Sequence, residues 1–206
     1  MRASLADQAC LGPTSSLAIA LGANLPSPAG DPIATLVAVR PQLEQVLEGW
    51  WAACGAPPVL QCHWSPLFAT EPVGGPPDQP VYCNAVLLVE AADGLSLEPD
   101  SGGPAAALTL LQGLHALERR YGRQRHERWG PRSLDLDLLW WGELHQATAS
   151  LDLPHPRWHQ RAFVLAPLLA IDQRLGRPVW RPPGASAAPS SAPSLVPLPA
   201  RSGWPE

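Results

Sequence analysis

A single domain that mixes β-strands with α-helices is what this chain predicts, on three observations. Its 206 residues suit one hydrophobic core with short extensions. Apolar runs of strand length, bounded by Gly, Pro and Asn, recur at four places. Between them lie two longer stretches with helical apolar spacing, one opening on Asp31-Pro32 and one closing on Gly122.

The elements follow in chain order. Residues 1–15 read as a flexible leader. Ser16–Leu21 is a short apolar run, a buried strand, ending at Gly22-Ala-Asn-Leu25. Asp31-Pro32 is a helix start, with an acid at the N-cap and Pro at the first helical position. Ile33, Leu36 and Val37 give that helix an apolar face, which Leu43, Val46, Leu47 and Trp50 continue. Pro41 interrupts it, so a kink or break is expected near Val39–Arg40. Val59–Phe68 reads as a second strand, placed at an edge by Pro66. The Pro/Gly-rich stretch 70–80 is long for a hairpin, and long loops are often functional. Tyr82–Val89 is a third strand, with Tyr82, Asn84 and Val86 on one face. Residues 93–105 read as a low-complexity insertion without chemistry. Ala106–Tyr121 is the clearest helix, with Leu108, Leu111, Leu114 or His115, and Glu118 at helical spacing and Gly122 to cap it. Residues 179–206 are rich in Pro, Ala and Ser without periodicity and read as a disordered tail.

Composition excludes several classes. A net charge of −4 gives no global basic field for nucleic acid. All fourteen basic residues are Arg, and the chain has no Lys. P-loop and protein-kinase sites both place a lysine on phosphate, so any phosphate chemistry here must run on Arg and metal. Cys10, Cys54, Cys62 and Cys83 form no C-x-x-C pair, which fits free thiols in a reducing compartment, the cytoplasm. Leu17–Ala23 is too short, and its n-region too weakly basic, for a secretory signal. No apolar run approaches membrane-spanning length.

The chemistry concentrates in Arg128-Trp-Gly-Pro-Arg-Ser-Leu-Asp-Leu-Asp-Leu-Leu-Trp-Trp-Gly142. A basic Gly-Pro loop becomes a strand with Leu134, Leu136 and Leu138 on one face. Asp135 and Asp137 lie on the other, in a pattern that also places Leu139 and Trp141 there. Same-face neighbours sit about 6.6–6.8 Å apart along a strand. Two carboxylates at that spacing can converge on one divalent cation or each anchor one of a pair. A lone D-x-D is most often a solvated acidic face. Arg132, three residues before Asp135, changes that balance, because a guanidinium grips phosphate where carboxylates hold magnesium.

R-W-G-P-R-x-L-D-L-D-[LIV]-L closely resembles the signature of the 6-hydroxymethyl-7,8-dihydropterin pyrophosphokinases of folate biosynthesis. Three more stretches are similar to that family in the same order. They are the opening strand with its L-G-A-N-L turn, the T-x-P-x-G…D-Q-P-x-Y-x-N stretch from Thr70 to Asn84, and P-H-x-x-x-x-x-R-x-F-V-L-x-P-L from Pro154 to Leu168. The resemblance covers roughly residues 16–175. It implies an α+β domain over 16–178 with a ferredoxin-like antiparallel sheet core covered by helices, a three-layer αβα arrangement. It also implies transfer of pyrophosphate from ATP to the pterin hydroxymethyl group, with release of AMP.

Carried over by position, the resemblance implies Asp135 and Asp137 as ligands of two Mg²⁺ ions. Tyr82 and Phe163 would stack on the pterin and Asn84 would bond its edge, with Thr70, Glu71, Val73 and Trp129 lining the pocket. Arg125 and Arg132 would grip ATP phosphates, with Arg161 and His155 beside them. Arg123 matches a second basic position on the same loop, and Glu118 and Leu138 match nucleotide-side positions. Glu71 stands where the family often has Pro. His115, Ser150 and Pro156 fall where members differ. The partners implied are small molecules, with no nucleic acid and no membrane, on a monomeric protein. Two other readings of the residues remain: a metal-dependent phosphohydrolase built on the Asp pair, and an RNA-binding module built on the six Arg between 119 and 132.

Overall fold

A computed structural model of the chain describes residues 15–55, 59–92, 97, 102–124, 129–179 and 195–205. The expected leader lies outside them, apart from the buried Ser15. So does most of the expected insertion, whose residues 103–105 instead open a helix.

The first strand, β1 (Ser16–Ala23), is followed by α1 (Pro32–Ala53). The Asp31 carboxylate caps α1 by accepting from the Ala34 N–H at 2.8 Å. The expected break at Pro41 does not occur, and the helix continues for 22 residues. Pro41 faces solvent, so its ring meets no packed neighbour there. The expected second strand is two, β2 (Leu60–Trp64) and β3 (Phe68–Thr70). Both pair with β4 (Tyr82–Ala91), and the chain slips between them at Ser65-Pro66-Leu67. Pro66 has no N–H for the ladder. The Ser65 hydroxyl fills in by accepting from the Val86 N–H at 2.9 Å.

The second long helix, α2 (Gly103–Arg120), buries Ala107, Leu110, Leu114 and Leu117. Leu108 and Leu111 are only partly buried, so the core-facing stripe is rotated by about one residue from the expected one. It leads to β5 (Asp135–Trp141), a two-residue pair β6 (Gln146–Ala147) and β7 (Asp152–Leu153), a 3₁₀ turn over Trp158–Gln160, and α3 (Ala162–Leu175). The main sheet runs β2-β4-β1-β5, with β3 on β4, and its pairings are all antiparallel. Two interleaved βαβ units of this order make a ferredoxin-like α+β core. Helices α1 and α2 cover one face, where Leu17, Ile19, Leu21, Leu36, Leu110 and Leu136 share a core. Helix α3 covers part of the other face, over Ala18, Ala20, Val86, Leu88 and Trp140.

Strand β5 departs from simple alternation. Ile19 pairs with Leu138 and Ala18 with Trp140, leaving Leu139 as an extra residue. This bulge puts both Leu139 and Trp140 on the α3 face and returns Trp141 to the α1/α2 core. Trp141 therefore does not share a face with the two acids, as strict alternation required. Its ring instead meets Trp50 edge-on, with centroids 4.8 Å apart.

The expected disordered tail does not describe residues 195–205. Trp204 is buried there, and the Leu198 N–H donates to Leu67 O at 2.7 Å. Residues 180–194 of that tail lie outside the described residues.

On the α3 face of β4, Glu90 is buried. Burial raises its pKa, but hydrogen bonds from His63 and Arg177 outweigh that and hold it at about 2. Arg177 Nη2 lies 2.6 Å and His63 Nε2 3.1 Å from Glu90 Oε2. A carboxylate depressed from 4.5 to about 2 stabilises the fold fully above pH 4.5, and that contribution fades as pH falls toward 2. Glu90→Gln is expected to cost about 1–3 kcal/mol at neutral pH. In urea melts its stability should fall less steeply than wild type between pH 4.5 and 2. Parallel acid limbs would contradict this.

Candidate functional site

The site grows from three neighbouring strands where α3 leaves the sheet open. On this face β1 presents Ala18, Ala20 and Gly22, side chains that shrink toward one end. Ala20 is flanked by Val86 on β4 and Asp137 on β5, and Gly22 by Asn84 and Asp135. Asn84 and Asp135 therefore face each other across a glycine, about 10 Å apart at two interstrand spacings. A Cβ on Gly22 would sit 2.8 Å from Asn84 Oδ1, so the floor is glycine by contact.

A cleft of about 510 Å³ stands on this floor. Of the residues singled out in the sequence, Thr70, Glu71, Val73, Tyr82, Asn84, Arg123, Trp129, Arg132, Asp135, Asp137, His155, Arg161 and Phe163 line it. Glu118 does not; it is buried behind β5, where Oε1 accepts from the Leu136 N–H at 3.0 Å and from Arg123. Leu138 does not either, because its side chain points into the α1/α2 core. Arg125 lies outside the described residues.

One end of the cleft suits a flat polar ring. Asn84 Nδ2 donates to Thr70 Oγ1 at 2.7 Å, which fixes the amide and leaves its oxygen over Gly22. The rings of Tyr82 and Phe163 reach it from β4 and from the first turn of α3. Burial raises the Tyr82 phenol pKa, so it stays a neutral donor.

The other end is ionic. Burial, then the charge of Asp137, raises the pKa of Asp135 against the pull of Arg123 and Arg132. Arg123 reaches both Glu118 and Asp135, Arg132 Nη1 donates to Asp135 Oδ2 at 2.6 Å, and Arg161 Nη1 donates to Asp137 Oδ2 at 3.0 Å. The end of α2 explains the first of these. Gly122 takes the left-handed conformation at φ +80, and the Arg123 N–H closes on Glu118 O at 3.0 Å, which turns the chain back toward β5. Burial, then Arg161, lowers the His155 pKa to about 4, so the ring is neutral at pH 7. Its Nδ1 accepts from the Arg157 N–H at 3.2 Å, which leaves Nε2 to carry the proton. Arg123 and Arg132 turn inward onto acids, an arrangement unlike a solvated basic arm.

Sequence reasoning missed Gly22, Gln79, Arg157 and Gln160, which also line the cleft. Gln79 joins the two loops over it. Its Nε2 lies 3.2 Å from the carbonyls of Gly74, Pro76 and Trp129. Tyr82 Oη donates to Gly130 O at 3.3 Å. Gly75 has φ +79, and a Cβ there would lie 2.3 Å from Trp129 O, so the loops touch backbone to backbone. Trp129 holds φ +61, a strained value for a large side chain, with Arg157 stacked on its ring. A polar residue inside a Pro/Gly loop carries no periodic signal, so only the D-Q-P context marked Gln79.

Residues 18–173 match the family model described as 7,8-dihydro-6-hydroxymethylpterin-pyrophosphokinase. A protein of Pseudomonas aeruginosa named 2-amino-4-hydroxy-6-hydroxymethyldihydropteridine pyrophosphokinase is 37% identical over 159 residues, 76% of this chain and 82% of that one. Proteins of the same name from Synechocystis and Bacillus subtilis are 41% and 37% identical over 110 and 111 residues. Those two alignments cover 51% and 54% of this chain, and 50% and 59% of the relatives.

Gln79→Leu keeps the side-chain bulk and removes the shared donor. Amide exchange should then speed up in 71–79 and 129–132 while β4 beyond Val86 is unaffected. Unchanged exchange in both loops would show that the bridge holds nothing.

Proposed function

Because this chain belongs to the 7,8-dihydro-6-hydroxymethylpterin-pyrophosphokinase family, we propose that its cleft transfers the terminal pyrophosphoryl unit of ATP to the hydroxymethyl oxygen of 6-hydroxymethyl-7,8-dihydropterin, a step of folate biosynthesis that leaves AMP. One observation carries the reading. The register sets Asn84 across Gly22 from Asp135, with Asp137 next along β5, and the rings of Tyr82 and Phe163 line the same cleft.

In this reading the chain contributes position and charge. Asn84, held by Thr70, bonds the edge of the pterin, and Tyr82 and Phe163 stack on its faces. Its hydroxymethyl group then points along the β1 lane toward the acids. Arg132 and Arg161 grip the polyphosphate, and His155 adds a neutral N–H donor at pH 7. Arg125, on the loop between α2 and β5, is assigned to the same grip, and Arg123 to phosphate once ligand displaces it from Asp135. Glu118 holds Arg123 in place from behind. Glu71 and Val73 form the rim and Trp129 the lid.

The acid pair fits magnesium. Two carboxylates in one cleft, one of them raised in pKa by burial and then by the charge of the other despite the arginines on it, supply hard oxygen donors. Asp135 and Asp137 would hold two Mg²⁺ ions, which supply charge neutralisation on the phosphoryl oxygens. Orientation of the hydroxyl in line with the β-phosphorus is the work of the ring slot, and barrier lowering by fixed donors that of the arginines. Leu138 enters through its backbone, since its side chain is in the core. We assign residues 16–178 to this one domain and expect a monomer in the cytoplasm. No helix among the described residues is long and apolar enough to cross a membrane.

Asp135→Asn and Asp137→Asn should each lose about 10²–10³-fold or more in kcat, the scale of removing one preorganised electrostatic group. Folding should be intact by circular dichroism, since the substitution also relieves the repulsion between the pair. Near-normal turnover of either variant would end the metal-ligand assignment. Gly22→Ala should raise KM for the pterin and leave that for ATP nearly unchanged, because its Cβ meets the Asn84 amide. The product decides the reaction class: AMP supports pyrophosphoryl transfer, whereas phosphate released without pterin would indicate a phosphohydrolase.

A further inference from the structure

The C-terminal segment 195–205 lies beyond the 18–173 span of the family match, yet it packs onto the sheet edge that leads into the cleft. We propose that this segment is a strap that positions the pterin end of the cleft by clasping the root of β3. The inference rests on the ring slot of Thr70 and Asn84 being where the pterin binds.

The root of β3 is where β2 and β3 part company. Pro66 breaks the ladder, so the carbonyls of Ser65 and Leu67 have no strand partner on the outer side. The strap takes both. Trp204 Nε1 donates to Ser65 O at 2.8 Å, and the Leu198 N–H donates to Leu67 O at 2.7 Å. Pro197 bridges to Phe68 as a short antiparallel partner. The Trp204 ring is 6% exposed and stands edge-on to Trp64, with centroids 5.1 Å apart and planes at 73°. The other side of the strap holds α1. Gly203 O accepts from Arg40 Nε at 3.3 Å, and a Cβ at Gly203 would lie 2.9 Å from Val37. Gly203 also has φ +83, so close approach and backbone conformation both call for glycine.

The link to the cleft is two residues long. Phe68, bridged by Pro197, is the register partner of Asn84. Thr70, at the end of the same three-residue strand, accepts from the Asn84 amide. So short a strand has little ladder of its own, and the strap supplies its outer edge. Among the described residues nothing comparable connects the strap to the acid end, which stands on β5 at the far side of β1. The effect should therefore divide between the two substrates.

The test compares the full chain with a variant lacking residues 195–206 and with Trp204→Phe, which keeps a buried six-membered ring and loses the pyrrole part of the indole with its N–H. With strap removal, KM for the dihydropterin should rise about tenfold, equivalent to 1.4 kcal/mol. KM for ATP should change less than twofold, and the synthetic peptide 195–206 added in trans should restore part of the pterin KM. Trp204→Phe should move the pterin KM in the same direction by a smaller factor. Equal changes in both KM values, or a lower melting temperature with both unchanged, would mean a scaffold role only and overturn the proposal. If removal prevents folding, Trp204→Phe decides alone by the same split. Hydrogen exchange at Phe68–Thr70 reads the clasp without turnover: faster exchange in the variants supports it, and unchanged exchange overturns it. Should the full chain make no AMP from ATP and dihydropterin, the functional reading fails while the exchange result still judges the strap.

Discussion

The structure depends on one narrow lane, the face of β1 where Ala18, Ala20 and Gly22 run toward open solvent. It lies between β4 and β5, so every group on those strands that faces the cleft is placed by pairing to it. Small side chains there let α3 close down over one half of the sheet and leave a level floor in the other. A sheet fixes lateral spacing more rigidly than loops can, because each strand is bonded along its length. The amide of Asn84 and the carboxylate of Asp135 thus keep their separation whatever the loops above them do.

The electrostatics of the acid end follow from burial on that floor. Asp135 sits in a lined cleft beside a second carboxylate, and burial and that neighbouring charge both disfavour its ion. The chain answers with arginine alone. Arg123 is delivered by the glycine turn after α2, Arg132 by the loop before β5, and Arg161 by the residue that precedes α3. Three unrelated elements therefore end at one pair of acids. Guanidinium suits this role because it keeps its charge when half-buried and holds carboxylate through two nitrogens. Glu118, out of sight behind β5, shares Arg123 and also accepts the Leu136 N–H, tying that strand to α2.

Much of this was legible in the chain because it is written locally. Asp31-Pro32 announced a helix start through its own chemistry, and the Leu/Asp alternation of 134–138 fixed which side chains oppose which. What was not legible arises from contacts distant in sequence. The bulge at Leu139 is decided by where Trp140 and Trp141 find their cores, so alternation alone misplaced Trp141. Pro41 looked like a breaker because propensity ignores the buried residues on either side of it, Leu36, Val39 and Leu43, whose packing carries the helix across. Residues 195–205 have the composition of a disordered tail, and a single tryptophan 139 residues away from its acceptor, Ser65, overrides it. Leu138 was assigned to the nucleotide side by its position in the motif, while its side chain obeys the strand period and enters the core. Gln79 gave no periodic signal, since its role depends on three carbonyls converging from two loops.

The tryptophans divide unevenly in a way that has an optical consequence. Trp50, Trp51, Trp64, Trp140, Trp141, Trp158 and Trp204 are all buried, while Trp129, on the loop over the cleft, is 44% exposed. Among the described indoles it alone stands where a dissolved quencher such as iodide can collide with it. Among those eight indoles, the iodide-quenched part of the emission is therefore a gauge of that loop, with no dye attached.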